Sequence, residues 1–241
     1  MGAGQFGAMI AVLVDAGSLT PGTTLLLPQS EIHHLKVRRV AVDTSLLLLD
    51  GHGARAEGIW KGGGTVEVQT VSQDARPIPL TLAVGAGDRD RFGWMIEKAT
   101  ELGVTDVIPL ETDRTAGVST RVRAGNVERL QRRGLEAIKQ SHAAWAPVVH
   151  LPHSLPELLV SHADGVRWLA DLNGERPLVG GPAPDLIIIG PEGGLTVAER
   201  HLLLESGIRL VRLGRYVLRF ETAAVAAVAV AFQLREAGHH V

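Results

Sequence analysis

DLIIIGPEGGLTVAERHLLLESGIRLVRLGRYVLRFET, Asp185 to Thr222, is the stretch that decides the fold. Leu186, Ile187, Ile188 and Ile189 form an unbroken apolar run. Such a run predicts a strand buried on both faces. Gly190-Pro191-Glu192-Gly193-Gly194 follows at once. Proline restricts the backbone there, and the glycines admit angles that other residues resist. Thr196 and Glu199 have capping-box spacing at the head of an apolar-periodic stretch. A turn of this kind, at the carboxyl end of a buried strand, is where open α/β sheets bind ligands. It also serves as a plain strand-to-helix connection, and its spacing alone leaves the choice open. A second turn then favours the ligand. Ile208 to Leu213 reads as another strand, Leu213-Gly214-Arg215 ends it, and Val217 to Thr222 leads into an Ala/Val-rich helix. Two such turns on neighbouring strands predict one pocket.

Upstream of this stretch the pattern alternates. Leu80 to Val84 and Val104 to Leu110 read as strands, and Phe92, Met95, Ile96, Ala99 and Leu102 have helical spacing between them. Asn126 is placed to cap a helix running to about His142. Val148-Val149 reads as a short strand, Leu155 to Val160 as a short helix, and Trp168 to Leu172 as a strand. Alternating strands and helices predict an α/β fold, a parallel sheet covered on both faces. Residues 1–75 read differently. Ala11 to Val14, Leu25 to Leu27, Leu46 to Leu49 and Val66 to Val71 are short strand candidates, and Gly62-Gly63-Gly64 marks a turn. Pro77 and Pro79 disfavour continuing either kind of element, so the expected division is residues 1–75 and 76–241.

Composition narrows the function. The chain has 241 residues, enough for one large or two modest domains, and no cysteine, which excludes disulfides and thiolate metal sites. A formal net charge of −2 argues against indiscriminate nucleic-acid binding. The charge is uneven, however. Arg114, Arg121, Arg123, Arg129, Arg132, Arg133 and Lys139 face only Glu128 and Glu136 in their segment. That segment is either a phosphate-binding surface or a solvated helix face. The amino terminus has no leader pattern, and the longest apolar helix, Ala223 to Phe232, is too short to span a bilayer. His150 and His153 lack a third ligand, so no metal site is expected. Gly85-Ala86-Gly87 starts a dinucleotide fingerprint but lacks its third glycine.

IGPEGG followed by LG-x-x-VLR-x-ETA resembles the RsmE family of ribosomal RNA methyltransferases, within the SPOUT superfamily. DRFGWMIEKATELGV (Asp90 to Val104), IPLET (Ile108 to Thr112), EAIKQS (Glu136 to Ser141), His33-His34-Leu35 and Leu49-Asp50-Gly51 are similar to other family segments. The resemblance implies a carboxyl-terminal SPOUT trefoil-knot domain, an amino-terminal PUA-like β-barrel that binds RNA, and a cytoplasmic homodimer. Pattern rules alone would have rejected a knot. The implied reaction moves a methyl group from S-adenosylmethionine to N3 of a uridine in 16S ribosomal RNA, family position 1498 in the decoding region. Because the sulfonium methyl is already activated, no metal is needed. Competing readings are a SPOUT enzyme for another RNA and a non-catalytic ribosome-assembly module.

The resemblance also implies roles. Gly190, Gly193, Gly194 and Gly214 let backbone approach the cofactor, and Leu110, Leu213 and Leu218 supply apolar walls, with Leu172 a further wall and Thr112 beside Leu110. Glu192 faces the cofactor or answers the following helix dipole. Arg219 and Glu221 are the catalytic candidates. Arg219 holds a uridine carbonyl or a phosphate, and Glu221 orients it or takes the N3 proton. The alternative is a structural Arg–Glu pair bracing the last helix. Thr222 is a helix cap or a cofactor contact. His33 and His34 contact RNA or pack the barrel, and Arg38, Arg39, Arg91 and Arg114 are RNA-phosphate candidates. Phe220, Lys139 and Ala144 depart from the family pattern, as does the amino terminus.

Overall fold

The structure is a computed structural model, and it describes residues 9–85, 87–178 and 180–238. The readings of the amino terminus, and of Ala86 in the Gly85-Ala86-Gly87 run, fall outside the described residues. Two compact units emerge, the first comprising residues up to Pro77 with Leu135–Ala146, the second Ile78–Gly134 with Pro147 onward. The expected single cut near residue 75 is therefore incomplete, because Leu135–Ala146 returns to the first unit. Leu135 and Ile138 pack there with Leu47 and Leu49, a contact that linear pattern does not reveal.

The first unit contains β1 (Ile10–Leu13), β2 (Thr24–Leu26), α1 (Gln29–Val37), β3 (Ser45–Leu49), β4 (Ala54–Gly62) and β5 (Thr65–Gln73). Its sheet runs β1-β3-β4-β5-β2. All pairs are antiparallel except β1 with β3. Gly62 to Gly64 make the β4–β5 hairpin turn, as expected. Two elements escaped the sequence reading. In β4, Arg55 and Glu57 alternate with buried Ala56, Gly58 and Trp60, so an inward-facing stripe is present but diluted by charge. In α1 only Glu31, Ile32 and Leu35 are buried, too few for a clear helical stripe.

The second unit holds β6 (Thr81–Gly85), α2 (Arg89–Glu101), β7 (Asp106–Glu111), α3 (Val127–Ser141), β8 (Val148–Val149), β9 (His153–Ser154), α4 (Leu155–Ser161), β10 (Arg167–Glu175), β11 (Leu186–Ile189), α5 (Val197–Glu205), β12 (Arg209–Val211) and α6 (Phe220–Gly238). The end of α3 belongs to the first unit. The sheet is parallel, ordered β12-β10-β11-β6-β7-β8, with β9 also paired to β7. The LIII run is continuous because both faces are covered. Ile187 and Ile189 pack with Phe92, Ala224 and Val228. Leu186 and Ile188 pack with Leu155, Leu158 and Leu203. Asp88 caps α2, accepting from the N–H groups of Asp90 and Arg91. Asn126 does not cap α3 as expected. It closes a short 3₁₀ turn, and its side chain accepts from Arg123 N at 3.0 Å.

Candidate active site

The sheet order builds the site. β11 and β12 flank β10, so the loops leaving them, Gly190–Leu195 and Arg212–Arg219, meet beside the Leu169–Leu172 stretch of β10. Between them lies a cleft of about 410 Å³. Gly190, Pro191, Gly194 and Leu195 line it from one loop, Leu213, Gly214, Tyr216, Val217 and Leu218 from the other, and Leu169 to Leu172 from β10. The volume is that of a small-molecule site. Its walls are leucine and its edges glycine backbone, a combination that accepts a flat, partly apolar ring while leaving main-chain groups to read its polar edge. One charged pair enters the lining, as the Arg200 guanidinium donates to the Asp171 carboxylate.

Local chemistry fixes the first loop. Gly194 has φ 73°, in the region that a side chain resists. Its N–H donates to Pro191 O at 2.7 Å, which closes the turn. Thr196 caps α5, and Glu199 Oε2 accepts from Thr196 N at 2.7 Å. Glu199 is buried and its Oε1 also accepts from Asp113 N at 2.8 Å, so one carboxylate ties this loop to the loop after β7. Arg114 Nη1 donates to Gly193 O. Glu192 Oε2 accepts from Gly87 N at 3.1 Å.

Of the expected cofactor residues, Leu172, Gly190, Gly194, Leu213, Gly214 and Leu218 line the cleft. Leu110 instead packs in the core with Ala83, Ile108 and Leu155. Thr112 is buried and its hydroxyl bonds Thr115 Oγ1 at 3.0 Å. Gly193 and Glu192 act on the loop from outside the lining, and Glu192 answers Gly87 rather than the α5 terminus. Thr222 lies exposed within the first turn of α6 and does not cap it. The alternative, a structural Arg219–Glu221 pair, is not formed. Glu221 is buried, its Oε1 lies 3.9 Å from Arg91 Nη1, and its Oε2 is enclosed without a hydrogen-bond partner. Arg219 is exposed and opens α6, its carbonyl accepting from Ala223 N at 2.9 Å.

The RNA candidates separate likewise. Arg91 faces Glu221 and Asp88, and Arg114 braces the glycine loop. His33, Arg38 and Arg39 are exposed in and just after α1, with His34 half-buried, so His33 does not pack the barrel. Part of the Arg114–Lys139 charge is matched by carboxylates. Arg121 meets Glu111, Arg129 meets Asp90, and Lys139 sits between Glu31 and Glu136. Burial opposes the Lys139 charge, but the hydrogen bonds it donates to Glu136 and Glu31 outweigh this and hold the ammonium above its ordinary pKa. Phe220 and Ala144 are both buried packing residues. His150 Nε2 bonds Asp106 Oδ1 at 2.7 Å. Sequence reasoning missed Asp171, Arg200, Tyr216, Val217 and Leu195. Tyr216 and Val217 stood inside the decisive stretch and were legible, whereas Asp171 and Arg200 are joined only by the fold.

A parallel sheet whose consecutive loops share one cleft, preceded by a curled, mainly antiparallel sheet, is the architecture expected of a SPOUT domain with a PUA-like barrel, a class of RNA methyltransferase. The RNA methyltransferase domain family model matches residues 74–232. Ribosomal RNA small subunit methyltransferase E of Synechocystis sp. is 33% identical, over 86% of this chain and 72% of that protein. The protein of that name in Rickettsia conorii is 30% identical, over 87% of this chain and 88% of its own length. The crystal structure of the Neisseria gonorrhoeae methyltransferase E bound to S-adenosyl methionine superposes with a TM-score of 0.78 at 27% identity, covering 92% of this chain and 96% of that one. The chain belongs to the ribosomal RNA small subunit methyltransferase E family, RsmE.

Proposed function

We propose that this chain uses S-adenosylmethionine to methylate N3 of one uridine in 16S ribosomal RNA, at the family's decoding-region position. The observation that carries the reading is the two-loop cleft in a chain of this family. The residues fit the cofactor. Leu172, Leu213 and Leu218 make an apolar slot for an adenine ring, and the Gly190, Gly194 and Gly214 backbone borders it. Asp171, held by Arg200, supplies the carboxylate suited to the polar end of the molecule. S-adenosylmethionine, when bound, supplies a methyl group already activated on a sulfonium.

The protein then has to align uracil N3 with that carbon and to stabilise the charge that spreads onto the uracil carbonyls as the N3 proton leaves. Arg219, exposed beside the cleft wall at Leu218, is the donor for this charge. Glu221 acts through Arg91, because its burial and enclosed Oε2 withhold it from a substrate. Solvent takes the proton. Arg38, Arg39 and His33 on the first unit serve RNA docking in a PUA-like role, and Arg114 acts by holding the cofactor loop. Exposed Tyr216 and Val217 at the cleft mouth support a homodimer with the site near its interface. An rRNA substrate places the protein in the cytoplasm. Mass-spectrometric mapping of 16S RNA from a deletion strain tests the reading. N3-methyluridine is expected to vanish and to return with this gene, and an unchanged 16S profile refutes the proposal.

A further inference from the structure

A second depression, of about 350 Å³, shares the Leu213-Gly214 turn with the cleft and is otherwise lined by Arg176, Arg212, Arg215, Pro177 and Val230. No carboxylate is in that lining. The arginines come from two chain segments, joined by the parallel pairing of β10 with β12. Val211 lies opposite Glu175, and Arg212 N donates to Glu175 O at 2.8 Å, which brings Arg176 and Arg212 together at the ends of those strands. All three guanidinium residues are exposed, and none forms an ion pair among the described residues. Glu175 is the acidic neighbour in the chain, also exposed.

This contrasts with the Arg114–Lys139 segment, which sequence singled out and in which Arg121, Arg129, Arg132 and Lys139 meet carboxylates. Three unpaired like charges around one hollow repel one another, and an anion relieves that repulsion. Guanidinium forks match phosphate oxygens two at a time. We propose that Arg176, Arg212 and Arg215 form a site for backbone phosphates of the RNA strand next to the target uridine. The inference rests on the RNA substrate proposed above. Phosphate contacts carry register and orientation rather than sequence. The shared turn couples them to the chemistry, because a strand anchored here is anchored at the Leu213-Gly214 wall of the cleft.

The test uses the full chain with a labelled 16S fragment containing the target uridine. Affinity is measured against salt for the unaltered protein, for R176Q/R212Q/R215Q and for the corresponding lysine triple. Each phosphate contact on a single strand contributes about 0.7 to the slope of log affinity against log salt. The glutamine triple is expected to lose about 2 from that slope and at least about tenfold in affinity. Its S-adenosylmethionine affinity stays unchanged and its melting temperature does not fall, and the lysine triple keeps most of the slope. Should the glutamine triple misfold, the three single glutamine variants are each expected to lower the slope by about 0.7. Equal slopes in variants that fold overturn this site alone, since the unaltered protein still methylates RNA. A dimer that dissociates in the glutamine variants with the slope unchanged also overturns it and assigns the face to a second copy of the chain. Failure of the unaltered protein to bind or methylate the RNA overturns the proposed function and this site with it.

Discussion

Arg219 and Glu221 stand two positions apart, yet the fold gives them opposite environments. Arg219 is exposed beside the cleft, and Glu221 is buried against Arg91. A donor aimed at developing charge is worth roughly a hundredfold or more in rate. Arg219→Ala is therefore expected to slow single-turnover transfer by about that factor while leaving cofactor affinity within about twofold. An unaltered single-turnover rate removes Arg219 from the chemistry. Gly194, with φ 73° and its place in the cleft lining, bears on binding instead. Gly194→Trp is expected to abolish cofactor binding by calorimetry with the chain still folded, and retained affinity would put the pocket elsewhere. His162 contributes to the pH dependence of stability. Burial lowers its pKa below the ordinary 6.5, outweighing the Leu158 hydrogen bond and the Asp106 charge. Protonation then favours the unfolded chain, which binds protons more readily. The stabilising contribution is whole above pH 6.5 and is lost as pH falls through the lower folded value. Urea midpoints should fall between pH 8 and pH 5, and His162→Gln should remove that component of the decline. At this scale Gly190, Gly194, Gly214, Leu213 and Leu218 were legible as lining of one cleft because they sit in two short stretches of the chain. Leu110 and Thr112 were not, since burial at a strand end depends on what packs above it.

Among the elements, α5 shows how far local signals reach. The Thr196-x-x-Glu199 spacing announced its cap, and the cap is there. Nothing in the spacing announced that the other oxygen of Glu199 would hold Asp113 N. Thr196→Ala removes a cap and should cost about 1 kcal/mol. Glu199→Ala strands two backbone donors and should cost about 2 kcal/mol or more. It should also weaken cofactor binding, because the loop it anchors lines the cleft. Chemical denaturation and calorimetry on both variants separate the two contributions, and equal costs would show that the Asp113 contact contributes nothing. The missed β4 and α1 mark the limit of periodicity. Arg55 and Glu57 in one and the short buried stripe of the other mask the inward face that packing creates.

The whole molecule turns on where β10 lies. A side chain at Gly174 would place Cβ 2.5 Å from Val211 N and 2.6 Å from Leu210 C, both main-chain atoms. Gly174→Ala therefore forces β12 to shift. It should cost about 1–3 kcal/mol in denaturation and loosen the cleft and the arginine hollow together, lowering cofactor and RNA affinity at once. Loss of one without the other would show that the strand pairing does not couple them. By itself, the sequence determined the strand–loop–helix units, their caps, the pair of glycine-bearing turns and the family likeness, because those depend on residues near one another in the chain. Only the tertiary structure decided that β10 inserts between β11 and β12, that Leu135–Ala146 joins the first unit, that Glu221 answers Arg91, and that Arg176 meets Arg212. Each of these joins residues far apart in the chain, and such pairings are chosen by burial and charge balance across the fold, which no local pattern encodes.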